Sequence, residues 1–359
     1  MYKSFNNVQK ITFGRGSLNT LEKSLEPLKY TNNNFCLFII DNFFKDKNLL
    51  SKLPIKENDA VRFINVDLHE PTTQQIDDLR DNILKENGTP SAIIGIGGGS
   101  ILDITKATAL MFKNKGSSAE YQGLNLIKKE GVYHIGIPTI AGTGAEVSMT
   151  AVLTGPEKKL GLKCDYTVFK EIILDPDFLS TVPKDKWFYT GMDTFIHCIE
   201  SENGTKTNTF SSAYAEESIK LCKDVYLDSN SGQTDLNNEK LMIASMMGGL
   251  SLTYSEVGVC HALSYGLSKV LHFRHCYANC LIFNHLGEIY SKGVKEFKEM
   301  LKKNDIHLPV NLSENWSNET VRHMSEVAYN LEHMWIHAFG PSWKEKVTLE
   351  YLDSLFRKL

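Results

Sequence analysis

The chain has 359 residues, 42% of them apolar and 23% charged, with a formal charge of −4 at pH 7. That length exceeds one ordinary small core, so two domains are expected, with the composition of a globular protein. The small net charge gives no drive towards nucleic acid or an anionic membrane, and no apolar run approaches a membrane span. Seven cysteines, an odd number scattered along the chain, predict reduced thiols and a cytoplasmic protein. The opening Met1-Tyr2-Lys3-Ser4-Phe5-Asn6-Asn7 lacks the apolar core of a signal peptide.

Ile11 to Leu18 reads as a strand ending in a glycine turn. Phe35 to Asp41 and Val61 to Val66 are short apolar runs typical of buried parallel strands. Pro71-Thr72-Thr73 opens a helical pattern carried by Ile76, Leu79 and Ile83. The run Ala92 to Ile96 leads into Gly97-Gly98-Gly99-Ser100, and a helical pattern continues to Met111. A strand at 133–137 enters a second glycine loop, Pro138-Thr139-Ile140-Ala141-Gly142-Thr143-Gly144-Ala145-Glu146, and 172–177 is the last strand. Strands alternating with helices predict a doubly wound, Rossmann-like parallel sheet. Val182-Pro183 ends this pattern, and helices follow at 187–201, 209–227, 238–254, 257–270 and 278–290. The predicted organisation is therefore a dinucleotide-binding α/β domain over 1–182 and an all-helical metal-binding and substrate domain over 183–359.

The first glycine loop presents bare backbone N–H groups at a helix start, where a pyrophosphate is attracted. It lacks the full dinucleotide fingerprint, so a tight turn without a ligand stays open. Asp103 and Lys106, one turn inside the helix, either face the same cleft or are solvated helix charges. Thr139 and Thr143 suit close contact with a nucleotide, since both loops fall at the carboxyl edge of the sheet, where open α/β folds bind ligands. Asp41 ends its strand at that edge. An acid there accepts from an adenine ribose and repels a 2′-phosphate, which favours NAD over NADP.

The second half carries the metal signal. Asp193 and His197 are four residues apart with no helix breaker between them, so a helix stacks both on one face. A carboxylate and an imidazole make half a coordination sphere for a divalent cation, and His261 and His275 supply the rest. A lone histidine in an apolar helix is usually a core residue, so the case rests on the set of four. Cys198, Cys260 and Cys276 each adjoin a histidine, but adjacent helical residues point about 100° apart. They are read as small packing residues. Gly248-Gly249 inside a regular apolar helix predicts close helix approach.

These motifs, in this order, resemble the iron-containing (group III) alcohol dehydrogenases, over almost the whole chain from Phe13 to about Leu286. The resemblance implies a dehydroquinate synthase-like fold and Fe²⁺ or Zn²⁺ on Asp193, His197, His261 and His275. The resemblance adds Lys159 as a cofactor contact, so that NAD(P), preferably NAD, is expected on Asp41, Gly97, Gly98, Gly99, Ser100, Asp103, Thr139, Thr143 and Lys159; a homo-oligomer such as a dimer is also expected. Within the family the strings Trp187 to Asp193, Phe195 to Glu200 and Ile306 to Pro309 are similar to the branch of 3-deoxy-D-manno-octulosonate (Kdo) 8-oxidases. That branch implies oxidation of the C8 primary alcohol of a sugar acid, with a partner aminotransferase consuming the aldehyde. On this reading Arg274 meets the substrate carboxylate, and Tyr265 lines the pocket or moves a proton.

Three positions depart from the family pattern. Tyr265 replaces a histidine, Ile140 the second threonine of a Thr-Thr pair, and Glu70 an asparagine before Pro71. The rival readings are a dehydroquinate synthase-like lyase, an alcohol dehydrogenase for another alcohol or polyol, and a non-catalytic nucleotide sensor.

Overall fold

Apolar runs with no polar face become the middle of a parallel sheet. The computed structural model describes residues 5–28, 35–66, 70–157, 159–228 and 230–359; Met1–Ser4 of the leader lies outside them. The chain divides into two compact units, 1–140 with 145–179, and 141–144 with 180–359.

In the first unit the elements are β1 (Lys10–Phe13), α1 (Leu21–Leu25), β2 (Cys36–Asp41), β3 (Ala60–Ile64), α2 (Thr73–Glu86), β4 (Ala92–Gly97) and α3 (Gly99–Met111). They continue with β5 (Gly123–Leu124), β6 (Tyr133–Pro138), β7 (Thr150–Thr154), β8 (Lys159–Lys163) and β9 (Glu171–Leu174). Six strands form one sheet in the order β1-β9-β6-β4-β2-β3, and every pairing in it is parallel. Alternation explains why β2 and β4 are apolar throughout. Leu37, Ile39 and Ile93 pack with Ile76, Ile83 and Ile104 on one face, while Phe38, Ile40, Ile94 and Ile96 pack with Leu21 and Leu25 on the other. Each such side chain stabilises the fold by about 1.5–3 kcal/mol on burial. Helix α3 lies close against the sheet at Gly95, where an added Cβ would stand 2.2 Å from Thr105 Oγ1.

A second small sheet, β5-β8-β7, includes the antiparallel pair β7–β8, which the sequence reading left without strands. Buried polar groups pin it. Lys106 is fully buried, and its Nζ donates to Ser148 O at 3.0 Å, Ser148 Oγ at 3.0 Å and Thr150 O at 2.9 Å. Burial lowers its pKa to about 8. Asp103 Oδ2 accepts from Val152 N at 3.1 Å. Neither residue is therefore a plain solvated helix charge; both fasten β7 to α3.

The second unit holds α4 (Lys184–Glu202), α5 (Thr209–Leu227), α6 (Asp235–Tyr254), α7 (Val259–Leu271), α8 (His275–Phe283) and α9 (Ser291–Lys303). Helices α10 (Asn318–Tyr329), α11 (Glu332–Phe339) and α12 (Leu349–Phe356) complete it. The segment expected as one helix over 278–290 instead starts at His275 and ends at Phe283, and turns occupy 284–290. Residues 141–144 fold onto α4 and α6: Gly142 N donates to Ser245 Oγ at 2.7 Å, and Thr194 Oγ1 donates to Gly142 O at 2.9 Å. The glycine pair in α6 makes the close helix approach expected of it at Gly248, where a Cβ would lie 2.9 Å from Thr194 of α4; at Gly249 the 141–144 loop comes close, since a Cβ on Gly144 would lie 2.3 Å from Gly249 Cα. Among the described residues no helix is long and apolar enough to cross a membrane.

Candidate metal centre

Helix α4 presents Asp193, His197 and Glu200 at spacings of four and three, on one buried face. Gly191 lets α5 press in at the preceding turn, where a Cβ would meet Tyr226 Oη at 1.9 Å. Helix α7 carries His261. It ends on His272 in the left-handed conformation, φ 58°, and the chain reverses through Phe273 and Arg274 into α8, whose first residue is His275. This helix–turn–helix brings both distant histidines to α4.

The four groups converge. Asp193 Oδ1 lies 3.9 Å from His197 Nε2, 3.5 Å from His261 Nε2 and 3.9 Å from His275 Nε2. One ligand atom from each residue falls within 4.8 Å of every other. A tetrahedral site with bonds of about 2.1 Å has edges of about 3.4 Å, so the Asp193 edges of 3.5–3.9 Å are slightly wider than a bound divalent cation would draw them. The donor set of one carboxylate oxygen and three imidazole nitrogens suits Fe²⁺ or Zn²⁺.

The electrostatics agree with that use. Burial opposes the charge on Asp193, but His197, His275 and His261 outweigh it and hold the carboxyl well below its usual range. Burial lowers His197 to about 4, so its imidazole is neutral and its lone pair is free for a cation. Its Nδ1 is buried with no hydrogen-bond partner among the described residues. His261 is different: burial again opposes charge, yet Glu200 and Asp193 prevail and raise it to about 9. Glu200 Oε2 accepts a hydrogen bond from His261 Nδ1 at 2.5 Å, and Oε1 accepts from Cys260 N at 2.5 Å and Tyr290 Oη at 3.2 Å. A carboxylate behind a metal histidine fixes which nitrogen faces the ion.

Three further residues take roles at the centre. Asn279, four after His275 on α8 and fully buried, donates from Nδ2 to Asp193 Oδ1 at 2.6 Å and lies 3.1 Å from His261 Nε2. Cys276, read as a packing residue, points its Sγ at Asp193 Oδ2 at 3.3 Å. Glu200 was visible only as part of a motif. The signal for Asn279 was the same four-residue spacing that found His197. Cys198 and Cys260 are buried and stand outside the ligand set, as expected.

The centre opens on one side. Asp193, His197 and His261 have side-chain exposures of 0%, 5% and 3%, whereas His275 is 30% exposed. Tyr265 packs edge-on to the His275 ring at 5.8 Å, and Arg274 is exposed immediately before it.

The predicted cofactor residues fall mostly in the first unit. Asp41, Gly97 and Thr139 end or follow β2, β4 and β6, which are neighbours in the sheet, so they share its carboxyl edge. Helix α3 starts at Gly99 with no side-chain cap, leaving the N–H groups around Ser100 available to an anion. Gly97 and Gly98 also serve the chain's own packing: a Cβ would lie 2.5 Å from Ile101 at the first and 2.8 Å from Ile140 at the second. Asp41 accepts from Phe43 N at 3.0 Å. Lys159 is paired with Glu70 at 2.6 Å. Thr143 belongs to the second unit.

The family model for iron-containing alcohol dehydrogenase matches residues 8–176, and the model for the Fe-containing alcohol dehydrogenase C-terminal region matches 187–335. The chain belongs to the iron-containing alcohol dehydrogenase family. It is accordingly an oxidoreductase acting on a CH–OH group. The 1-propanol dehydrogenase PduQ of Citrobacter freundii is 27% identical over 293 residues, 79% of this chain and 72% of that protein. Sulfoacetaldehyde reductase of Bilophila wadsworthia is 31% identical over 189 residues, 51% of this chain and 48% of that one. The crystal structure of a 1,3-propanediol oxidoreductase superposes with a TM-score of 0.87 at 18% identity, over 99% of each chain. A sulfoacetaldehyde reductase from Bifidobacterium kashiwanohense, solved with NAD⁺, gives 0.81 at 21%, over 99% of this chain and 98% of that one. At such identities the likeness is one of fold.

Proposed function

We propose that this iron-type alcohol dehydrogenase transfers a hydride from the C8 primary alcohol of Kdo, or a closely similar sugar acid, to NAD⁺, giving the aldehyde, NADH and a proton. The observation that carries the sugar-acid assignment is Arg274, exposed and directly before His275 at the open side of the centre. A guanidinium there is a forked donor for a carboxylate. The branch resemblance in the strings around Asp193 and His307 supports the same substrate.

Asp193, His197, His261 and His275 would hold the divalent cation, which when bound acidifies a substrate hydroxyl at neutral pH. Iron is the assignment the family favours, and zinc fits the same donors. Tyr265, edge-on to His275, lines the approach and has a hydroxyl suited to passing a proton. Asp41 and the uncapped start of α3 would bind the ribose and pyrophosphate. Hydride leaves the carbinol carbon as the nicotinamide accepts it, so alcohol oxidised equals cofactor reduced.

The second reading, a dehydrogenase for a small neutral alcohol, is supported by relatives named 1-propanol dehydrogenase and NAD-dependent methanol dehydrogenase. One assay separates the two. Metal-analysed protein is given Kdo or 1-propanol with NAD⁺, with and without an aminotransferase, and reduced nicotinamide is followed by absorbance. Faster turnover of Kdo, increased by the aminotransferase, supports the sugar-acid assignment, and turnover of propanol alone rejects it. Peroxide formation with no reduced nicotinamide rejects NAD⁺ as the acceptor.

A further inference from the structure

Helix α8 does more than supply one ligand. From its first residues come His275, whose Nε2 is in the cage, and two donors aimed at the carboxylate of Asp193 on α4. Asn279 Nδ2 reaches Oδ1 at 2.6 Å, and Cys276 Sγ reaches Oδ2 at 3.3 Å. The two residues are three apart and share a helix face. Oδ1, the oxygen closest to the imidazoles, therefore has one amide donor and the cage on its remaining side. Oδ2 accepts from the thiol. Asn279 Nδ2 also stands 3.1 Å from His261 Nε2 and 3.3 Å from His275 Nε2, so it closes the face bounded by Asp193, His261 and His275.

We propose that Asn279 and Cys276 are a positioning pair that clamps Asp193, so that it offers a single oxygen, Oδ1, to the cation and keeps the protein's share of the coordination at four. A free carboxylate can turn and bind through both oxygens. With Oδ2 engaged by the thiol and Oδ1 fixed by the amide, that rotation is blocked. The closed face also limits the cation's access to added ligands, leaving the approach beside exposed His275. An amide N–H is a much stronger donor than a thiol, so Asn279 dominates. The proposal rests on the metal centre but not on which alcohol is oxidised.

The test uses the full chain, metal-free and then titrated with Co²⁺ and Zn²⁺. Wild type is predicted to give the intense visible absorption of four-coordinate Co²⁺. Asn279→Ala should weaken Zn²⁺ binding about 10- to 100-fold in chelator competition, the range seen when a partner of a ligating group is lost. The same variant should fade the Co²⁺ band, as Asp193 becomes bidentate and the coordination number rises. Cys276→Ala should shift both readouts in the same direction by less, and Cys276→Ser, which keeps a donor, should restore them. Should Asn279→Ala fail to fold, the alanine and serine variants at 276 decide alone. Unchanged affinity and an unchanged band in the variants, with wild type binding normally, would overturn the clamp. Wild type that binds neither ion would instead remove the metal centre itself.

Discussion

Glu200 Oε2 and His261 Nδ1 meet at 2.5 Å in the buried core of the helical unit, with the other imidazole nitrogen turned to Asp193. The contact fixes the proton on Nδ1 and leaves Nε2 to face the cage. Glu200→Ala removes that hold and strands a polar ring, so metal affinity should fall about 10- to 100-fold. Glu200→Gln, whose amide oxygen still accepts from Nδ1, should lose less. Chelator competition measures both, and equal losses in the two variants would contradict the orientation argument.

The same pair sets a pH dependence. His261 rises from 6.5 to about 9, so in metal-free protein it carries a proton at pH 7 that a cation must displace. His197, lowered to about 4, contributes none. Metal uptake at pH 7 should release about one proton, and apparent affinity should climb about tenfold per pH unit before levelling near pH 9. For the metal-free fold, the raised pKa gives stability that is complete below 6.5 and is lost as pH rises through 9. Calorimetry in buffers of different ionisation enthalpy counts the protons. A flat profile with no release would refute the assignment.

The parallel strands were legible because β2 and β4 are apolar on both faces, a pattern set by local sequence. Asp193 and His197 were legible for a similar reason, since helical spacing alone puts them together. The pair β7–β8 was not. It depends on contacts distant in the chain: Lys106 to Thr150 O, and Gln122 Nε2 to Leu153 O at 2.9 Å and Leu160 O at 2.8 Å. The true start of α8 at His275 was hidden as well, because a left-handed residue at 272, not a proline or glycine, ends the helix before it. Cys276 stands outside the ligand set, as expected, and its contact with Asp193 Oδ2 was hidden because it joins residues far apart in the chain.

Gly144 combines φ 64° with the contact to Gly249, so an alanine there is strained and has backbone in its way. Gly144→Ala should destabilise the protein by about 3 kcal/mol or more, seen in the denaturation midpoint. Gly98→Ala meets only the flexible end of Ile140 at 2.8 Å and should cost about 1 kcal/mol. The reverse order would contradict the packing account.

Glu70 pairs with Lys159 and is 41% exposed. If Lys159 serves an anionic cofactor, this partner competes with it. Glu70→Gln should tighten NAD⁺ about 3- to 10-fold, less at high salt, where exposed pairs are screened. Fluorescence titration at two ionic strengths reads this, and weaker binding in the variant would reject Lys159 as a cofactor contact.

Arg274→Ala should raise KM for a sugar acid about 10-fold or more while leaving a neutral polyol nearly unaffected, since a charge-assisted contact contributes about 1.5–3 kcal/mol. Steady-state kinetics on both substrates checks it. Equal effects would reject the carboxylate role.

The central claim is that residues from α4, α7 and α8 form one cation site, and anomalous scattering from metal-loaded crystals tests it most directly. The account predicts a single strong peak within bonding reach of Asp193 Oδ1 and of the Nε2 atoms of His197, His261 and His275. A peak elsewhere, or four side chains turned to separate partners with no ion between them, would contradict it.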